Sequence, residues 1–335
     1  MDILTTFLGQ FFQQLQSPTL AFLLGGVFVA AMGSKLQIPN QIYQFVVFVL
    51  LMKIGMKGGV EIREANLTEM LIPALLSAVI GLLIVWIGHA LLPKLPRIKP
   101  ADGTATAGLF GAVSASTLAA AIVLLEEQNI QFEAWAPALY PFMDIPALVL
   151  AIVLASIHKE KTENGAEHEV KIWQIVKDSL RGSALSALLL GICLGLFSRP
   201  DQVLSTFYQP LFRGLLSILM LVLGMEAWSR LRELKGVAHW FAVYALVGPV
   251  AHGLLAFALG YLAHIWVGFS PGGVVLLSVI AASNSDISGP PTIRGGIPWA
   301  NPSAYIGSST SVGTPVAIAV CIPMFTTLAG VVFSL

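Results

Sequence analysis

The chain has 335 residues, 56% of them hydrophobic and 11% charged, with 18 Lys and Arg balancing 18 Asp and Glu. A soluble domain carries about 25% charged residues, so water is excluded as the solvent for most of this surface, and the mean hydropathy of +0.82 fits a polytopic membrane protein. Zero formal charge argues against a nucleic-acid partner, and the two cysteines, Cys193 and Cys321, both lie in apolar stretches and read as packed thiols, not a disulfide framework or metal cluster.

Residues 1–16 repeat Ile3, Leu4, Phe7, Leu8, Phe11, Phe12 and Leu15 at helical spacing, with Gln10, Gln13 and Gln14 between them. This predicts a short amphipathic helix lying at the membrane interface. No basic n-region precedes it, so no cleavable signal is expected. Residues 17–158 form a first unit, with spans predicted at 18–34, 41–57, 69–92, 101–125 and 136–158. The segment 159–172 is polar and sign-mixed and predicts a solvated linker. Residues 173–335 form a second unit, with spans at 179–197, 209–229, 237–266, 271–291 and 303–333. A span needs about 20 residues to cross a core of roughly 30 Å.

The two units are related by a constant offset of 169 residues. It aligns Gly55-Met56 with Gly224-Met225, Arg63-Glu64 with Arg232-Glu233, Gly103 with Gly272, Ser114 with Ser283, Ser116 with Ser285 and Pro146 with Pro315. Duplicated halves with hydrophobic segments broken at matching places point to a secondary transporter. Five spans per half is an odd number, so the second copy must enter from the opposite side and the repeat is inverted. The expected fold is therefore an all-α polytopic membrane protein with ten transmembrane helices, arranged as two inverted five-helix repeats whose fourth and ninth helices are broken and cross. Loop charge sets the orientation. Of the 18 Lys and Arg, 13 fall on the linker side, among them Lys35, Arg97, Lys159, Lys171 and Arg294, against 5 elsewhere (Lys53, Lys57, Arg63, Arg199 and Arg213). The positive-inside rule then places the linker in the cytoplasm and both termini outside it.

The first break runs from Gly108 to Thr117, and its counterpart is Ser283-Asn284-Ser285-Asp286-Ile287-Ser288-Gly289-Pro290-Pro291. Adjacent prolines remove backbone donors and clash with the preceding turn, and irregular backbone in a membrane needs internal partners or a water-lined cavity. A helix that restarts at mid-membrane presents free N–H groups and about half a positive charge, which suits a small anion. Exposed carbonyls and Ser, Thr or Asp oxygens nearby suit an alkali cation. For Gly108, Gly111 and Ala112, close helix packing is an equal reading. Each half carries one intramembrane carboxylate, Asp144 and Asp286. A buried acid costs at least about 2.5 kcal/mol on insertion scales, and a bound cation would offset it. Asp144 could also be a helix N-cap before Pro146. His252 reads as a core group, Glu226 with Arg230 as an i,i+4 pair, and Arg294 as either an anion attractor or a loop anchor.

With these residues in view, the chain resembles the cyanobacterial sodium-dependent bicarbonate transporter family of the SbtA type. The matching stretches are LQSPTLAFLLGG, NLTEML, GLFGAVSAST, EAWAPALYPFMDIPALV, PLFRGLLSILML, GMEAWSR and SDISGPPTIRGGIPWANPSAYIGSSTSVGTPVAIAVCIP. The resemblance implies five plus five spans, sodium-coupled bicarbonate uptake as part of inorganic carbon concentration, a plasma-membrane location, a homotrimer and a cytoplasmic PII-like regulatory partner. It places the bicarbonate site at Ser114, Ala115, Ser116, Thr117, Ser283, Asn284 and Ser285. Sodium is assigned to Asp144, Asp286, Ser288, Thr310 and Thr314. No cofactor is expected beyond sodium as coupling ion. The linker is shorter here than in some members.

Sodium:bicarbonate symport by alternating access is thus the leading expectation. The alternatives within transport are a cation/proton antiporter or a sodium-coupled organic-anion symporter of similar fold. An intramembrane hydrolase would need a GxSxG elbow, a metal pair or a Ser/His pairing, and the sequence offers none; a non-enzymatic role is expected. A sensor that binds bicarbonate without moving it would show binding without flux.

Overall fold

A computed structural model describes residues 18–64, 67–162, 173, 177, 180, 181, 183–231, 239–286 and 289–333. The expected interfacial helix at 1–16, Ser288 and most of the 159–172 linker lie outside these residues. All regular structure among the described residues is helical. The order is α1 (Pro18–Ala31), α2 (Asn40–Glu64), α3 (Leu67–Leu91), α4 (Pro100–Gly111), α5 (Ala115–Glu127) and α6 (Tyr140–Thr162). After the linker come α7 (Ser183–Phe197), α8 (Gln209–Leu231), α9 (His239–Val267), α10 (Pro271–Ala282), α11 (Gly289–Gly296) and α12 (Pro302–Phe333). Within α12, Ser309–Gly313 and Ala317–Cys321 are wound as π-helix.

Seven helical stretches among the described residues are long and apolar enough to cross a membrane, and three shorter apolar helices, Leu20–Ala31, Ser186–Phe197 and Pro271–Ala282, accompany them. The ninth predicted span, 271–291, ends early because the helix stops at Ala282. In the other direction, α6 continues to Thr162, into the segment expected to be linker. Cys321 is buried as expected, whereas Cys193 is exposed because it lies on the outer side of α7.

Helix pairing follows the 169-residue offset in a crossed manner. The most extensive interhelical packing joins α2 to α7 and α1 to α8, so the first helix of each half packs on the second helix of the other. Glycines make this approach possible. A Cβ on Gly55 would stand 2.4 Å from the Leu188 carbonyl oxygen, one on Gly59 2.2 Å from that of Ile192, and one on Gly224 2.0 Å from that of Leu23. Gly55 faces Gly191 and Gly59 faces Gly195, so the register advances in the same direction along both chains and α2 and α7 run parallel. The remaining helices enclose α4 and α5. The apolar window of Pro100–Glu127 is 100% buried, so this broken helix meets protein on every side and no lipid.

Candidate functional site

The site begins at the gap between α4 and α5. Helix α4 ends at Gly111, the backbone extends through Ala112 and Ser114, and α5 restarts at Ala115. Close packing fixes the approach: a Cβ on Gly108 would lie 2.6 Å from that of Ala151, and one on Gly111 2.5 Å from a Val85 methyl. These two glycines therefore serve packing. Ser114 is the N-cap of α5, its Oγ accepting from the Thr117 N–H at 3.2 Å. The amides of Ala115 and Ser116, at the head of this helix, have no carbonyl one turn back within it.

The second interruption, 283–286, lies directly against the first. Ser114 N–H donates to Ser283 Oγ at 3.0 Å, and Ser285 N–H donates to the Leu109 carbonyl at 2.9 Å. Ser283 Oγ donates in turn to the Ile280 carbonyl at 2.7 Å, and Ser285 Oγ accepts from Gly289 N–H at 2.8 Å. Each interruption thus satisfies backbone groups that the other leaves open, as buried polar backbone requires. Asn284 reaches a third element. In the orientation that satisfies its neighbours, its amide donates to the Ser309 carbonyl and to Thr314 Oγ1, each at 2.9 Å, and accepts from the Thr314 N–H at 3.0 Å. This clamp sits on the π-wound stretch of α12. A Cβ on Gly313 would fall 2.5 Å from the end of the Asn284 side-chain amide, so a residue without a side chain is needed there.

Both carboxylates reach the first interruption. Asp144, fully buried and inside α6, is not the N-cap of its own helix; its Oδ1 accepts from Val113 N–H at 2.9 Å. Asp286, half-buried, accepts at Oδ2 from Ser116 Oγ at 2.8 Å, and Ser116 Oγ is itself 2.8 Å from Ser114 Oγ. Asp144 Oδ2, Asp286 Oδ1, Thr117 Oγ1 and Ser311 Oγ are buried without a protein partner. Oxygen-only donors of this kind, two of them anionic, suit a hard cation. Thr310 and Thr314 are buried on the same clamped stretch. Of the predicted site residues, only Ser288 lies outside the described residues.

The core reading of His252 holds in part. Its Nε2 lies 3.3 Å from Tyr244 Oη, Phe110 packs edge-on to both rings, and Nδ1 has no partner. Two ionic features escaped the sequence. Lys53, 1% exposed, meets Glu126 Oε1 at 3.2 Å and caps the Phe212 ring at 3.6 Å. Asp102 Oδ1 accepts from Asn301 N–H at 2.7 Å, tying α4 to the head of α12.

Apolar helices enclosing a polar crossing with two carboxylates define a membrane protein of transporter type. Residues 18–330 match the family model of the Na+-dependent bicarbonate transporter superfamily, and the chain belongs to that family. A search of curated proteins finds no match.

Proposed function

We propose that the protein is a sodium-dependent bicarbonate symporter of the plasma membrane that works by alternating access. The observation that carries this reading is the union of two opposed chemistries in one buried place, within a chain of this family. The head of α5 offers Ala115 and Ser116 amides and the partial positive charge of a helix N-terminus. It is walled by Ser114, Thr117, Ser283, Asn284 and Ser285, and is the proposed bicarbonate cradle. Asp286 and Asp144, with Thr310, Thr314 and Ser288, are the proposed sodium ligands.

Because Ser116 touches both the cradle and Asp286, the two ions would stabilise each other, which is what coupling requires. One sodium with one bicarbonate is electroneutral; a tenfold sodium gradient then supplies about 1.4 kcal/mol, or tenfold accumulation. A second sodium would add that again and about 2.3 kcal/mol per 100 mV.

The inverted ten-helix arrangement belongs to the same proposal. Parallel packing of α2 with α7 supports it, because a first and a second helix of two copies run parallel only if one copy is upside down. The exposed apolar faces, with Phe28, Phe45 and Trp86 among them, suit lipid or the other subunits of a homotrimer. A PII-like partner would meet the cytoplasmic linker face, and both termini would lie outside.

The test is radiolabelled bicarbonate uptake into proteoliposomes at fixed pH, with and without an inward sodium gradient. Uptake that requires sodium is expected. Uptake indifferent to sodium, or sodium/proton exchange without bicarbonate movement, would overturn the symport reading.

A further inference from the structure

The offset also relates the two ends of the molecule, and there they differ. At one end α2 packs on α5, with Lys53, Ile54, Lys57, Ile122, Glu126 and Phe132 around a closed patch of about 10 Å³. Lys53 and Lys57 lie 3.2 and 3.7 Å from Glu126 Oε1. Adding 169 to Lys53, Met56 and Lys57 gives Val222, Met225 and Glu226. These residues line a groove of about 510 Å³ at the other end, bounded also by Ala30, Ser34 and Trp228. The counterpart of the α2–α5 packing would be α8 on α11, and among the described residues no comparable contact joins that pair.

The charges are exchanged as well. A lysine pair faces an acid at the closed end. By the offset, Glu226 of the groove stands where the first half has Lys57, and the last turn of α11 carries exposed Arg294, one residue before the counterpart of Glu126. A repeat whose halves exchange conformations turns each end into the likeness of the other.

We propose that the two ends are shut alternately by ion pairs of opposite polarity. Lys53 and Lys57 hold Glu126 in the state described here. In the other state Glu226 holds Arg294, the groove between α1 and α8 is closed, and the Lys53–Glu126 contact is open. This rests on the alternating-access reading above. Neither pair touches the proposed ions; each sets the state in which the site is exposed. Opposite charges give each closure a specific partner, and like charges brought together would oppose it.

The experiment uses the full chain in membranes, with Cys193 and Cys321 replaced because Cys193 is exposed. One protein carries Lys53→Cys with Glu126→Cys, a second carries Glu226→Cys with Arg294→Cys, and a third carries all four. Each pair is expected to cross-link under oxidation, each cross-link to stop uptake until reduced, and the two never to form in the same molecule. Failure of 226 to link to 294, coexistence of both links, or full uptake by a linked protein would overturn the proposal. The links are read on gels whatever the substrate is, so an error in the bicarbonate assignment leaves this result standing. As a second arm, Glu226→Arg and Arg294→Glu singly are expected to slow sodium-driven transport about tenfold, and the double reversal to recover most of it, as a double-mutant cycle requires for residues that meet. A double reversal no better than the worse single would equally overturn it.

Discussion

The two interruptions occupy equivalent places in the repeat and do different work. At the first, the helix restarts at once: Ser114 caps it and Ala115 and Ser116 present their amides. At the second, the described helix runs from Gly289, whose N–H is held by Ser285, and Pro290 and Pro291 have no N–H to present. So the aligned serines diverge. Ser114 Oγ faces its own helix, whereas Ser283 Oγ accepts from Ser114 N–H and braces the partner interruption. Thr117 aligns with Asp286, so only the second interruption carries an acid in its own sequence, and that acid reaches across to Ser116 of the first. A helix end rich in donors favours an anion; an end stripped of donors beside a carboxylate favours a cation. On the proposed function, the two prolines and the one acid are what divide anion from cation between two frames aligned by the 169-residue offset.

The largest test of this division is removal of the charges. Asp286→Asn and Asp144→Asn are each expected to lower sodium-driven uptake at least about hundredfold, which is about 2.7 kcal/mol of lost stabilisation, with purified protein still assembled by size-exclusion chromatography. Wild-type rates in either variant would remove that residue from the site. Next, Ala115→Leu places a branched side chain at the head of α5 and is expected to abolish bicarbonate binding in an equilibrium binding assay; unchanged affinity would place the anion elsewhere.

Gly313→Ala sharpens the cation side. Its Cβ would fall 2.5 Å from the Asn284 amide, and overpacking of this sort costs about 1–3 kcal/mol. A lower melting temperature and about tenfold weaker sodium activation are expected; unaltered sodium activation would mean that the Asn284 clamp does not position the cation ligands. The smallest effect belongs to Ser114→Ala. Loss of an N-cap costs about 1 kcal/mol, so the half-saturating bicarbonate concentration should rise about fivefold in uptake kinetics, with sodium activation little changed. An unchanged value would show that the cap does not shape the cradle.

Much of this was legible in the sequence. Each predicted span contains helix among the described residues, because apolar runs in a membrane satisfy their backbone within the segment, but the ninth stops at Ala282 and the first at Ala31. The breaks were legible because Gly, Ser and paired Pro cannot continue a helix unaided, and Asp144 and Asp286 stood out because an acid in such a stretch needs a reason. What the sequence could not carry was partnership. Whether Asp144 caps α6 or holds Val113 depends on how α6 lies against α4, and the periodicity of either helix is silent on that. The π-wound turn at Ser309–Gly313 meets Asn284 of the second interruption, a contact between two segments that the periodicity of neither announces. Charge counting leaves Lys53 for the outside or the spans; its burial follows from Glu126 and the Phe212 ring arriving from other helices.

The most direct measurement of the division between the two interruptions is equilibrium binding of radioactive sodium to the purified wild-type, Asp286→Asn and Ser114→Ala proteins without bicarbonate. Sodium binding lost in Asp286→Asn, and kept within about threefold in Ser114→Ala, a change under 1 kcal/mol, is the predicted result. Equal loss in both, or full binding in Asp286→Asn, would contradict the assignment of the cation to the second interruption.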